Sequence, residues 1–197
     1  MSVTCRVRIY ATVDENGNLK KPENGFPVAQ CRGHYDLQIC QSRNIGTSSN
    51  YENFVSPIIS YGHGSKAEVA FFESGRETTI YNGQDAHLYY WTFTASETAV
   101  TQLLKALGGY LDGDNPTRQN TSYGKLVRYK VTKAPYNNYS ASTTNCFRAV
   151  AQWCNSLGKN QLQKIYSSAD SASDYYAYKL VELLAEDYWE DKGIKHY

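Results

Sequence analysis

No apolar run in this sequence approaches the roughly 20 residues that a membrane-spanning helix needs, so stable membrane insertion is not expected. Charge of one sign is also lacking. The formal net charge is +1, which leaves no broad field to draw the chain to nucleic acid or an anionic surface. Five cysteines occur, yet there is no C-x-x-C pair and no H-E-x-x-H, so a zinc site would have to be assembled from scattered residues. No metal or other cofactor is expected. An odd number of cysteines leaves at least one outside any internal disulfide. There is no internal repeat and no low-complexity linker, and 197 residues suit a single domain spanning 1–197 with a sizeable core. The opening "MSVTCRVRIYATVDENG" lacks the basic, apolar and small-residue layout of a signal peptide. Synthesis in the cytoplasm is expected, with any export using no cleaved signal.

What the sequence does have is tyrosine, 18 in all, a side chain equally useful in cores, grooves and polar binding surfaces. The first half reads as strands. "CRVRIYATV" alternates and ends in the turn "DENG", and "HYDLQICQ" sets Leu37 and Ile39 against polar neighbours. "FVSPIISYGH", "AEVAFFE", "ETTIY" and "HLYYWTF" read as further strands, with "NIGTSSNYEN" as a loop. Then the period changes. Thr94-x-x-Glu97 has the form of a capping box, Val100, Leu103, Leu104 and Leu107 follow at helical spacing, and Gly108-Gly109 stops the helix. "GDNPTRQNTSYG" reads as a loop and "KLVRYKV" as a short strand. A final helix is expected from about Ser173, with Tyr176, Leu180, Leu183 and Leu184 inward. Strands first and helices later predict an α+β domain on a mainly antiparallel sheet.

The segment "YSASTTNCFRAVAQWCNSLG" carries the chemistry. Phe147, Val150, Ala151, Cys154 and Leu157 repeat at helical spacing, and Gly158 sits where a C-cap glycine belongs. Thr144 or Asn145 can cap the start. Cys146 then falls in the first turn, where unpaired amides and the positive end of the helix dipole favour thiolate over thiol. The same amides can hold an oxyanion. Cys154 lies on the apolar stripe and reads as core. The plain alternative for Cys146 is a small buried hydrophobe. A nucleophilic thiolate needs a base, usually histidine, and only His34, His63, His87 and His196 are available. His34 opens a strand, His63 closes another before a Gly-containing turn, His87 precedes "LYYWTF", and His196 adjoins the C-terminus.

Gly33-His34 leading a strand, then the helix in "WTFTASETAVTQLLKAL", then Tyr139-x5-Asn145-Cys146 opening another helix, resembles the circularly permuted papain-like hydrolases. These are the NlpC-type superfamily in its permuted form, which includes the lecithin:retinol acyltransferase-like families. The matching pieces span most of residues 33–158. The resemblance implies a papain-like antiparallel sheet packed against helices, Cys146 as nucleophile, and a strand histidine as base. It also implies a third polar residue on the neighbouring strand to orient that histidine. His34 suits the base and His63 the third place. In the reverse assignment His63 is the base and Glu77 or a neighbour orients it. The activity implied is acyl transfer, most often cleavage of amide bonds in peptidoglycan stem peptides. With no signal peptide and no wall-binding repeat, the expected setting is a bacterial effector of the type VI kind. Such an effector would be made in the cytoplasm, act in the target-cell periplasm, and have an immunity protein and a secretion-machine carrier as partners. The alternatives are a cysteine protease or an acyltransferase on protein or lipid, and, outside enzymology, a tyrosine-rich binding module with an unreactive Cys146.

Overall fold

The computed structural model describes residues 1–27, 30–31, 33–46, 51–62, 68–74, 85–108, 117–121, 124–130, 145–168 and 189–195. Among these, β1 (Ser2–Thr12), β2 (His34–Ile39), β5 (Ile58–Tyr61), β6 (Glu68–Phe72), β7 (Ala86–Ser96), β8 (Thr117–Thr121), β9 (Gly124–Lys130) and β10 (Glu190–Lys195) form one eight-stranded sheet. Its order is β10-β7-β1-β2-β5-β6-β9-β8, and every pairing is antiparallel. A separate two-stranded ladder joins β3 (Arg43–Gly46) to β4 (Tyr51–Phe54). The helices are α1 (Glu97–Gly108), α2 (Cys146–Ser156) and α3 (Gln161–Ser168). The protein is α+β with a mostly antiparallel sheet, as the order of periodicities predicts.

The period-2 pattern of β1 turns Val3, Cys5, Val7, Ile9 and Ala11 to one face, where they join Leu37 and Ile39 of β2 and Trp91 and Phe93 of β7 in the main core. The helical stripe of α2, Phe147, Val150, Ala151 and Cys154, and that of α1, Val100, Leu103, Leu104 and Leu107, close over this face. Each fully buried aliphatic side chain contributes about 1.5–3 kcal/mol. The other face of β1 carries Arg8 and Tyr10, a pattern that suggests a wetted surface, yet both are fully buried. Register explains how Arg8 tolerates this. Asp36 stands directly across from it on β2. The two carboxylate oxygens accept from Arg8 Nε at 2.7 Å and Nη2 at 2.9 Å.

Several expectations are corrected. Part of "NIGTSSNYEN" is not loop but β3 and β4, because Ile45 and Phe54 are buried into the main core and hold the ladder there. Part of "GDNPTRQNTSYG" is β8, an edge strand paired along β9 that needs no apolar alternation to find its ladder. The capping box at Thr94 does not form. Thr94 is a residue of β7, which runs straight into α1, and the Ser96 hydroxyl accepts from the Ala99 amide at 3.1 Å instead. Glu97 turns away to form an ion pair with Arg43, accepting from Nη2 at 2.9 Å. His87 lies within β7, as the strand expected at "HLYYWTF" has it. Neither α3 nor β10 is foreseen, since "QLQKIYSS" and "EDKGIK" are short and hold few apolar residues. The strand expected at "ETTIY" and the last helix expected from Ser173 lie outside the described residues.

Candidate functional site

Asn145 caps α2 from an extended backbone, φ −101° and ψ 178°, with its side-chain oxygen accepting from the Arg148 amide at 3.0 Å. Cys146 is thereby the first residue of the helix. The chain leaves the helix through Leu157 to Gly158, whose φ of 79° a side chain disfavours.

The position of the Cys146 sulfur follows from the β2–β5 ladder. The Ile39 amide donates to the Pro57 carbonyl and the Cys40 amide to Thr4, so odd-numbered amides of β2 point toward β5 and even-numbered ones toward β1. The regular β2–β5 pairing ends at Asp36 opposite Ser60. One residue beyond, the Tyr35 amide meets the Cys146 thiol, and the amides of Cys146 and Phe147 also point at the sulfur. The start of α2 is thus wedged against β2 at the end of its ladder with β5. The Tyr35 side chain lies under the helix, its ring edge-on to Phe147 at 5.1 Å between centroids.

His34 contributes the carbonyl carbon to which the Tyr35 amide is bonded, so the backbone of this histidine adjoins the seat of the thiol. By strand alternation His34 projects to the opposite face from Tyr35, alongside Asp36. Its Nε2 is 2.8 Å from Ser60 Oγ, on the next strand. An imidazole that donates from Nε2 carries its lone pair on Nδ1, the form a general base requires. His34 is half-buried, whereas Ser60 and Asp36 are buried.

Two opposed influences act on the thiol. Burial pushes it up to about 11, and the charge of Asp36 acts in the same direction, while the three amides pull it down. Cys146 is 6% exposed. The helix terminus therefore favours the thiolate as expected from sequence, but burial outweighs it, and the resting group is a thiol that must hand its proton to a base. Cys154, wholly buried in the core, is pushed further up, chiefly by burial and in addition by Cys5.

The Cys146 sulfur meets the backbone of β2 at the Tyr35 amide, next along the chain from His34, while the His34 ring is turned to Ser60 on the face of β2 opposite the Tyr35 side chain and α2. His63 and Glu77 lie outside the described residues, as does His196. His87 lies across β1, its Nε2 2.6 Å from Asp191 and its ring stacked on Tyr89 at 4.5 Å. Ser60, the Tyr35 amide and Asp36 are the participants that sequence reasoning missed. A serine inside the apolar run "PIISYG", one residue before the end of its strand, is the one signal that could have found Ser60. All five cysteines are free, and among the described residues no group of three His, Cys, Asp or Glu is arranged to hold a metal ion. Among those residues, too, no helix is long and apolar enough to cross a membrane. Two clefts, about 480 Å3 beside Arg43 and Lys105 and about 730 Å3 beside Asp14 and Phe26, are lined by neither Cys146 nor His34. Compared with protein-family models, with curated proteins and with solved structures, the chain matches none.

Proposed function

We propose that the protein is a cysteine hydrolase of permuted papain-like type, acting on amide bonds by acyl transfer. The observation that carries this reading is the seat of Cys146. It is the first residue of a capped helix, its sulfur on the Tyr35 amide beside His34, whose Nε2 is held by Ser60. His34, whose ring lies on the other face of β2, would take the thiol proton through one water at the end of the β2–β5 ladder as the sulfur attacks the substrate carbonyl. The Cys146 and Phe147 amides would hold the oxyanion. The imidazolium would then protonate the leaving amine, and water, deprotonated by the same ring, would release the acyl group and restore the thiol. Ser60 fills the place of the orienting residue on the neighbouring strand. Peptidoglycan stem peptides are the proposed substrate, and delivery by a secretion machine with a cognate immunity protein the proposed setting. Both rest on the resemblance of the Gly33-His34 and Asn145-Cys146 segments to that superfamily.

The burial of Cys146 and its raised thiol favour a second reading, a tyrosine-rich binding module in which the cysteine is inert. Digestion of purified peptidoglycan by the protein and by its Cys146→Ala form, with mass analysis of the fragments, separates the two. New stem-peptide fragments from the first sample alone are expected. Identical fragment patterns from both would leave the cysteine without a catalytic role on this substrate.

A further inference from the structure

We infer that the buried Arg8–Asp36 pair acts as a charge-balancing and positioning device for Cys146: Arg8 cancels the charge of Asp36 so that a thiolate can form beside it. This rests on the hydrolase reading and names what regulates the same site. Three observations carry it. The first is register. Arg8 faces Asp36 across β1–β2, and Asp36 faces Ser60 across β2–β5, so the ion pair is built into the same polar row that seats His34. The second is geometry. The pair is doubly hydrogen-bonded at 2.7 and 2.9 Å, with side-chain exposures of 1% and 0%. A lone carboxylate could not persist in that burial, because desolvating a charge costs several kcal/mol unless it is paired. The third is adjacency. Asp36 flanks the Tyr35 amide on which the sulfur sits, and its charge reaches the thiol.

The elements packed against the start of α2 bring few other charges. From β2 come His34 and Asp36, from β5 Tyr61, from β1 behind them Arg8 and Tyr10, from α2 itself Arg148, from α3 Lys164, and from α1 Lys105 and Glu97, the last paired with Arg43. Asp36 is thus the one carboxylate on the strands beneath the start of α2, and Arg8 the guanidinium committed to it. A bare Asp36 would repel a developing thiolate at Cys146 and hold the proton on sulfur. Paired with Arg8, it still orders the strand through two hydrogen bonds while its field is largely spent. The pair also fixes β2 at the residues on either side of the Tyr35 amide, so the seat of the sulfur is rigid.

The test is the pH profile of Cys146 alkylation by iodoacetamide in the full chain, read site by site by peptide mass mapping. The variants are Asp36→Asn, Arg8→Met and the double Arg8→Met/Asp36→Leu. Asp36→Asn keeps the shape and removes the negative charge. It is expected to move the alkylation midpoint about one pH unit lower, roughly tenfold faster at neutral pH. Arg8→Met is expected to move it about as far the other way, and the double variant to return it toward wild type. An Asp36→Asn profile unchanged or shifted upward overturns the inference, and this variant decides alone if Arg8→Met does not fold. His34→Ala separates the two layers of the argument. A wild-type profile indifferent to His34→Ala sinks the hydrolase reading, whereas the Asp36→Asn shift still reports whether the ion pair sets the charge on the thiol.

Discussion

His34 on β2 and Ser60 on β5 share a hydrogen bond, Nε2 to Oγ at 2.8 Å, across strands whose regular pairing stops at Asp36 opposite Ser60. The bond reaches diagonally past the end of the ladder, and so fixes the ring of His34 on Ser60, one residue along β2 from the amide that the Cys146 sulfur meets. On the proposed mechanism the two side chains make unequal contributions. His34→Ala removes the base, and turnover is expected to fall about 10²–10⁴-fold. Ser60→Ala removes one hydrogen bond to that base, and a loss of roughly tenfold is expected. His63→Ala, measured beside them, is expected to retain more activity than His34→Ala. Hydrolysis rates against pH for the three variants check the order. A dead His63→Ala beside an active His34→Ala would reverse the assignment of the base.

Cys146 and Cys154 share a helix but not an environment. Cys146→Ala is expected to abolish hydrolysis while changing stability by no more than about 1–2 kcal/mol, because its sulfur lies at the helix start rather than in the centre of the core. Cys154→Ala is expected to spare activity and to cost more stability than Cys146→Ala, through the cavity it leaves in the main core. Urea midpoints and turnover, taken on both variants, read the two effects separately. Equal losses of both kinds in both variants would mean that the catalyst has been confused with the core.

Breaking the Arg8–Asp36 pair from one side should be costly. Arg8→Met leaves a buried carboxylate uncompensated, with an expected loss of about 3–5 kcal/mol. The double variant Arg8→Met/Asp36→Leu should recover much of it, since neither charge then remains in the core. Chemical denaturation of wild type, single and double variants completes the cycle, and a double variant no better than the single would show that the hydrogen-bond geometry rather than charge carries the stability.

The Arg43 guanidinium holds the Glu97 carboxyl below its ordinary value of 4.5, with burial opposing and the amino terminus assisting. A folded-state value below the unfolded one means that the contribution is present above about that ordinary value and is lost as pH falls through the folded one. The exposed carboxylate makes this a small effect. The melting temperatures of wild type and Glu97→Gln should therefore differ near neutrality and converge in acid. A difference that persists after Glu97 is protonated would assign it to hydrogen bonding instead.

Gly17 closes the turn after β1 at φ 81°, and a Cβ there would collide with the side chain of Ile194 on β10. Gly17→Ala combines left-handed strain with that clash, and a loss of about 1 kcal/mol or more is expected. Gly25→Ala, at φ 87° with open space around it, isolates the strain alone. The difference between the two thermal midpoints measures the clash with β10.

Local periodicity alone determined much of this molecule. Alternation in "CRVRIYATV" and "HYDLQIC" marks β1 and β2, and the apolar stripe from Phe147 to Leu157 marks α2, because these patterns are written by neighbours along the chain. The cap at Asn145 and the first-turn position of Cys146 are legible for the same reason. The ladder of β3 with β4, the edge strand β8 and the docking of β10 are not, since their own patterns are weak and, for β10, the partner strand β7 is distant in sequence. Nor could the sequence say that Arg8 and Tyr10, on the polar face of β1, are buried. Only pairing across strands decided that Arg8 meets Asp36, that Ser60 meets His34, and that the Tyr35 amide is left for a sulfur rather than a carbonyl. Those contacts depend on register and on where the β2–β5 ladder ends, which are properties of the assembled sheet and of no single segment.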